Sequence, residues 1–290
     1  MIEAKHISKF FSIVNDDRTA EGFYALQSVS LSIAAGKIVS LLGPSGCGKS
    51  TFLEILGGLQ APSEGEVYIN GVKVLEPLPS SRREMEIYRR KYRFLSPLVN
   101  GIFRNRPKHD IAMILQDYAV FPWMTALQNV TFTLKLRGIP RHEREAVAIR
   151  HLNRVGLGAS LNKYPSQLSG GMRQRLALAR ALSVGPRIIL MDEPFAAVDA
   201  LTRERLQEDL LELLQSSGIT IVLVTHDVEE AVYLSDEILV FSPSPGTVRN
   251  HLTIDIPRPR RRSDPELVRL QERILKLFQY DSEHASDYSI

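Results

Sequence analysis

The sequence predicts an α/β protein with a parallel sheet, and three observations carry that prediction. Short apolar runs at Ile38 to Leu42, Ile188 to Met191 and Thr220 to Val224 have the length and composition of buried strands. Each stands next to a helical stretch, the alternation that builds parallel sheets. Between the first run and its helix lies Gly43-Pro-Ser-Gly-Cys-Gly48-Lys49-Ser50, a glycine-rich loop in the strand-then-helix setting that cradles phosphate.

The elements follow in order along the chain. Ala25 to Ile33 alternates apolar and polar residues, as a half-buried strand does. The helix after the glycine-rich loop is expected to stop at Gly57-Gly58, since glycine suits a helix C-terminus. Asn70-Gly71 within GEVYINGV is a hairpin signal. From Leu75 to His109 basic residues, Arg82, Arg83, Arg89 and Arg90 among them, outnumber acidic ones without clean periodicity, which reads as a surface insertion. After Gln116 the chain is helical and polar to about Pro165. Past Pro257, Arg258, Arg260, Arg261 and Arg262 form a basic cluster, read as a solvated surface with anionic lipid or an acidic partner as the alternatives. Leu267, Leu270, Ile274 and Phe278 then recur at helical spacing, which predicts an amphipathic helix docked on the body.

Composition narrows the class. At 290 residues, 44% hydrophobic and 24% charged, the chain fits a globular protein with a sizeable core. No apolar run approaches the ~20 residues that cross a bilayer. A net charge of +3 does not by itself mark a nucleic-acid binder. Cys47 has no partner for an internal disulfide, and MIEAKHISKFF lacks a signal-peptide pattern, so a cytoplasmic setting is expected.

The chemistry gathers at loop ends. Glycines in the phosphate loop turn successive backbone N–H groups inward as an anion nest, reinforced by the positive end of the following helix. Lys49 is suited to the β- and γ-phosphates and Ser50 to Mg²⁺. The same positive environment is expected to favour the Cys47 thiolate. RIILMDEP ends an apolar strand on Asp192 and Glu193, where ligands of α/β sheets bind; Asp192 is suited to Mg²⁺ and Glu193 to polarising a water as general base. IVLVTHD repeats the design with His226, and Asp227 with Glu230 has capping-box spacing. Gln116 ends another apolar run, where its amide suits both Mg²⁺ and the attacking water. In LSGGMRQR, Ser169 is an N-cap and Gly170-Gly171 an open first turn, a second anion site. One loop already encloses most of a triphosphate, so the second glycine start is expected to complete the pocket of another copy.

Together GPSGCGKST, Gln116, LSGGMRQR, RIILMDEP, FAAVD and THD, in that order, resemble the nucleotide-binding subunit of ATP-binding-cassette transporters. The resemblance covers nearly the whole chain apart from the basic insertion. It implies a P-loop NTPase (RecA-like) core, a small antiparallel β subdomain and an inserted α-helical subdomain. Residues 1–250 would form the ATPase domain, with 117–165 helical and 76–108 the basic insertion, and 251–290 would form a tail. It implies ATP and Mg²⁺, with Ser50, Gln116 and Asp192 on the metal and Glu193, His226 and Gln116 in catalysis. ATP would be held by Gly43, Pro44, Ser45, Gly46, Cys47, Gly48, Lys49, Ser50 and Thr51, and by Ser169, Gly170, Gly171 and Asp199 across a homodimer. An N-terminal aromatic would stack on adenine: Phe11 is best placed, with Phe10 and Tyr24 as rivals. Ala196 stands where many members carry serine, and Met172 where glutamine is common.

FPWMTALQNV, SGGMRQR, DVEEAVYLSDEILVFSPSPGTV and IDIPRPR are similar to the nitrate/sulfonate/taurine importer branch. That implies an ATPase powering uptake of a small anion, peripheral on the cytoplasmic face of the inner membrane. Its partners would be a permease pair and, indirectly, a solute-binding protein, with no nucleic acid expected. Phe121, Pro122 and Trp123 would lie near the groove for the permease's coupling helix, though Trp123 also suits packing within the helical part. A soluble cassette ATPase on nucleic acid or ribosomes and an exporter cassette are the competing readings.

Overall fold

The computed structural model describes residues 1–14, 20–75, 111–196, 198–214 and 217–285, so the expected basic insertion at 76–108 lies outside the described residues. In chain order the first elements are β1 (Ile2–Val14), β2 (Ala20–Ile33), β3 (Ile38–Leu42), α1 (Lys49–Gly57), β4 (Glu64–Ile69) and β5 (Val72–Leu75). Next come β6 (Ile111–Ile114), α2 (Ala126–Leu136), α3 (Arg141–Arg154), α4 (Gly170–Ser183), β7 (Ile188–Asp192) and α5 (Ala200–Leu214). The chain ends with β8 (Thr220–Thr225), α6 (Val228–Leu234), β9 (Glu237–Phe241), β10 (Val248–Thr253) and α7 (Pro265–Ala285). It divides into two units: Met1–Pro107 with Val224–Ile290, and Lys108–Leu223.

The first unit contains an antiparallel sheet in the order β2-β1-β4-β5. Its inner face buries Ile2, Ala4, Ile7, Val29, Ile33, Val67 and Ile69; the spacing alternates as in a strand except from Ala4 to Ile7, where the register shifts at His6, φ 52°. Fully burying each such branched side chain contributes roughly 1.5–3 kcal/mol. Asn70 (φ 51°) and Gly71 (φ 76°) close the β4–β5 hairpin with two positive φ angles, the I′ geometry that matches strand twist. The same unit carries β10-β9-β3, with β3 parallel to β9 and β10 antiparallel to it. Asp236 fixes that register: its Oδ2 accepts from Ile38 N at 2.8 Å and its own N donates to Ile38 O at 2.7 Å.

The apolar stripe expected of the tail is present. Leu267 and Ile274 of α7 are buried against Leu42, Val232, Ile238 and Val240, and Leu270 and Phe278 pack beside them. Among the described residues, no helix is long and apolar enough to cross a membrane.

The basic cluster is not the solvated surface the sequence suggested. Arg260 is 7% exposed and spends its donors on the C-terminal end of α6. Its Nη1 donates to Val232 O (2.9 Å), Tyr233 O (3.1 Å) and Ser235 O (2.6 Å), and its Nε to Ile256 O (3.0 Å). A helix end leaves its last carbonyls without intrahelical donors, and a guanidinium supplies several at once. Arg258 donates to Leu234 O at 2.5 Å and to the Asp236 carboxylate. Arg262 lies over the Tyr233 ring at 3.9 Å and donates to Glu229 Oε1 at 3.1 Å. Three of the four arginines therefore work inside the fold, and Arg261 alone of the four is exposed.

In the second unit the strand order is β8-β7-β6, with β6 and β7 parallel and Ile114 opposite Met191. Every residue of β7 is buried, the pattern of a strand covered on both faces. Thr125 caps α2 in a full capping box with Gln128. Asn129, wholly buried, folds the preceding FPWMT turn: Nδ2 donates to Phe121 O, Met124 O and Thr125 O at 3.2, 3.0 and 3.0 Å, and Oδ1 accepts from Phe121 N at 2.8 Å. Arg175 of α4 pairs with Asp209 of α5 at 2.6 Å.

Candidate functional site

The first unit places the phosphate loop between β3 and α1. Gly46 and Gly48 adopt φ 79° and 93°, which turns the backbone in a way side chains resist, and a Cβ on Gly48 would stand 2.5 Å from Ala25 O. Gly48 is also the N-cap of α1, so the helix start faces the loop. Lys49 is buried with Nζ donating to Gly43 O and Pro44 O, both at 2.7 Å, and lying 3.6 Å from Cys47 Sγ. Pro44, Ser45, Gly46 and Ser50 are exposed, Gly43 is buried, and Thr51 is partly covered.

Cys47 departs from expectation. It is buried, and burial pushes its thiol above the ordinary value, a shift that the Lys49 charge and hydrogen bonds only partly offset. Desolvation of the thiolate outweighs the loop's positive field.

His226 is exposed at the end of β8. Asp227 caps α6 as expected, accepting from Glu229 N at 2.9 Å and Glu230 N at 3.2 Å. The return arm of the expected capping box runs through Thr225. Its Oγ1 accepts from Asp227 N at 3.0 Å and lies 3.3 Å from Glu230 Oε2, which draws Glu230 inward as a buried carboxylate. The three aromatic candidates fall on opposite faces of the β1–β2 ladder. Phe10 meets Tyr24 edge-on at 5.1 Å, whereas Phe11 faces Phe23 at 5.8 Å, with Lys9 Nζ 5.2 Å from the Phe11 ring. Phe23 did not enter the sequence reading, although the antiparallel register brings it opposite Phe11.

The second unit gathers Gln116, Asp192 and Glu193. Asp192 ends β7 and is buried, and Glu193 follows at φ 43°, a left-handed backbone that non-glycine residues rarely adopt. Gln116 Nε2 lies 3.4 Å from Glu193 Oε2. One residue pair further on, Tyr118 OH donates to Pro194 O at 3.3 Å, so the turn after β6 is tied to the turn after β7 twice. Tyr118 and Ala119 also have positive φ (63° and 43°), and Arg180 of α4 grips their carbonyls at 2.9 and 2.6 Å while standing 5.5 Å from the Phe121 ring. Sequence reasoning passed over Tyr118 and Arg180; the signal was an arginine inside the apolar helical stretch LALARAL. Trp123 is 69% exposed beside Phe121, so the alternative of a buried packing role does not hold within this unit.

In the same unit Ser169 caps α4, its Oγ accepting from Met172 N at 3.3 Å. A Cβ on Gly171 would stand 3.0 Å from Thr202 Cγ2, so α4 and α5 approach closely there. Beside them opens a cavity of about 430 Å³ whose lining includes Ser169, Gly171, Arg175, Leu201 and Arg205. Asp199 caps α5 through Thr202 N at 3.0 Å, and that bond holds its carboxyl below the usual range. Leu201 next to it is 82% exposed, and Ala196 is exposed as well.

Mg²⁺ prefers hard oxygen ligands and keeps several from water and phosphate. Ser50, Gln116 and Asp192 offer a hydroxyl, an amide oxygen and a carboxylate, which fits that preference in kind. Among the described residues no cluster of three or more His, Cys, Asp or Glu forms a protein-only metal cage.

Residues 26–196 match the family described as ABC transporter. The chain is 39% identical over 268 residues to the taurine import ATP-binding protein TauB of Yersinia pestis, covering 89% of this chain and 93% of that one. It is 39% identical over 266 residues to the bicarbonate transport ATP-binding protein CmpC of Synechocystis, covering 91% of this chain but 35% of CmpC, about a third of its length. A solved ATP-binding cassette, dimeric and bound to ADP and Pi in a post-hydrolysis state, superposes with a TM-score of 0.68 at 34% identity, over 89% of this chain and all of that one. The chain belongs to the ABC transporter family and carries that family's ATP-binding domain.

Proposed function

We propose that the chain is the ATP-hydrolysing subunit of an importer for a small anion, working as a pair of cassettes at the cytoplasmic face of a membrane. The observation that carries the ATPase reading is the phosphate loop, with its two left-handed glycines and the buried Lys49 at the start of α1. Backbone N–H groups of Gly46 to Thr51 bind the phosphates, and Lys49 exchanges its loop carbonyls for β- and γ-phosphate oxygens. Phe11, at the N-terminal sheet, stacks on the adenine. Ser50, Asp192 and Gln116 would hold Mg²⁺, which would supply neutralisation of the charge that develops on the phosphates. Glu193 takes the proton of the attacking water, with Gln116 orienting it and His226 contacting the γ-phosphate. Ser169, Gly170 and Gly171 of a second copy close the pocket, and Asp199 lies at the seam between the copies. The cavity beside Ser169 and the exposure of Leu201 support that arrangement.

The importer reading rests on relatives whose names specify taurine and bicarbonate, both small anionic or zwitterionic solutes. Phe121 and Trp123 would receive the permease's coupling helix, and the exposed indole supports this. The anionic-lipid and acidic-partner readings of the tail cluster lose most of their charge, because Arg258, Arg260 and Arg262 are engaged within the fold.

Glu193→Gln tests the core of the proposal. Hydrolysis is expected to fall by roughly two to four orders of magnitude while ATP still binds, and ATP should trap a dimer visible by light scattering. Undiminished hydrolysis, or no ATP-dependent dimer, would sink it.

A further inference from the structure

The turn between β9 and β10 packs backbone to backbone against the phosphate loop, and the mechanism above makes no use of it. Ser242 shapes that turn. Its N donates to Thr247 O at 2.9 Å, and its Oγ donates to Pro245 O at 3.0 Å and accepts from Thr247 N at 2.9 Å. Gly246 at the tip forms a parallel bridge with Leu26 of β2: Gly246 N donates to Ala25 O and Gln27 N donates to Gly246 O, both at 3.0 Å. A Cβ on Gly246 would stand 2.0 Å from Cys47 O, inside the phosphate loop. A Cβ on the neighbouring Gly48 would stand 2.5 Å from Ala25 O. The peptide joining Cys47 to Gly48 is thus pressed between β2 and this turn.

That peptide carries two groups of opposite consequence. In a trans peptide the carbonyl and the following N–H point in opposite directions across one plane. The Cys47 carbonyl faces Gly246, so the Gly48 N–H points the other way, among the donors of the anion nest. We infer that Gly246 is a positioning residue for nucleotide binding: the bare Cα seats the Cys47 carbonyl and thereby orients the Gly48 N–H toward phosphate. The requirement for glycine here is steric. Gly246 does not have the positive φ of Gly46 and Gly48, and the clash is with backbone, which cannot swing aside as a side chain does. The inference rests on the nucleotide reading of the loop.

Gly246→Ala is the test. Clearance to the ordinary minimum of 3.0 Å requires the turn and the phosphate loop to separate by about 1 Å. Misplacement on that scale costs on the order of 10–100-fold in function. Fluorescent trinitrophenyl derivatives of ATP and AMP separate a phosphate effect from a general one, since AMP engages little of the nest. The variant is expected to bind the ATP derivative at least about tenfold more weakly, with AMP binding little changed and circular dichroism like the parent's. KM for ATP should rise with it. Ser242→Ala, which loosens the turn without adding bulk, should act in the same direction with a smaller effect. Parental ATP binding in Gly246→Ala, or an equal loss for ATP and AMP, overturns the inference. If Gly246→Ala does not fold, Ser242→Ala decides by the same comparison, and parental ATP binding there overturns it. Failure of the parent protein itself to bind the ATP derivative is a different result, and it counts against the nucleotide reading instead.

Discussion

Replacing Arg260 with alanine should cost the fold far more than its place in a basic cluster suggests. The guanidinium serves the carbonyls of Val232, Tyr233, Ser235 and Ile256, each within 3.1 Å. Burial pushes its pKa down to about 10, still well above neutrality, so these are bonds to a charged donor. Such bonds contribute about 1.5–3 kcal/mol each, and the bereaved carbonyls sit against the α6–α7 core. Water entering the space left by the side chain recovers part of the loss, which brings the expected cost to about 3–5 kcal/mol. At about 2–4 °C per kcal/mol, the thermal midpoint should fall by roughly 10 °C. Arg261→Ala is the internal control, since that side chain is exposed, and it should stay within ~0.5 kcal/mol of the parent. Urea unfolding followed by circular dichroism measures both. Equal, small effects from the two substitutions would refute the capping account and return the cluster to the surface.

Three other outcomes follow from the described geometry. Cys47 should resist iodoacetamide at neutral pH in the native state and react readily in denaturant, and fast native labelling would contradict its burial. Because its folded pKa lies above the ordinary 9.0, the stability linked to this thiol is fully present below that value and falls as pH rises through the folded pKa; a Cys47→Ala variant should lose that alkaline slope. Asn129→Leu removes the four bonds that shape the FPWMT turn and should destabilise the protein by about 2–4 kcal/mol. The emission of Trp123, the sole tryptophan, reports on the turn, and an unchanged spectrum with unchanged stability would count against the role given to Asn129.

Much of the architecture was legible because it is written locally. The run from Ile38 to Leu42, the glycine pair that ends α1 and the Asn70-Gly71 turn each have a short-range cause, and each appears where expected. The phosphate loop and the Ser169 cap were legible for the same reason. What escaped was set by long-range packing. An arginine run reads as surface because nothing nearby in sequence shows that α6 ends beside it. Cys47 reads as activated because its burial depends on residues distant in the chain. Gly246 reads as a turn glycine until Cys47 O is seen against its Cα. Tyr118 and Arg180 matter through backbone carbonyls, which leave no trace in residue type.

The two-pronged hold of Arg180 has a mechanical consequence. A single bond works as a swivel, whereas one planar fork on two successive carbonyls resists twisting as well as pulling. The fourteen-residue rod on which it is mounted is stiff along roughly 21 Å and starts at Ser169. A load applied near Phe121 would therefore be expected to reach the far tip of that rod as a tilt. Such a helix would work as a crank, with the aromatic turn at one end and the paired glycines at the other.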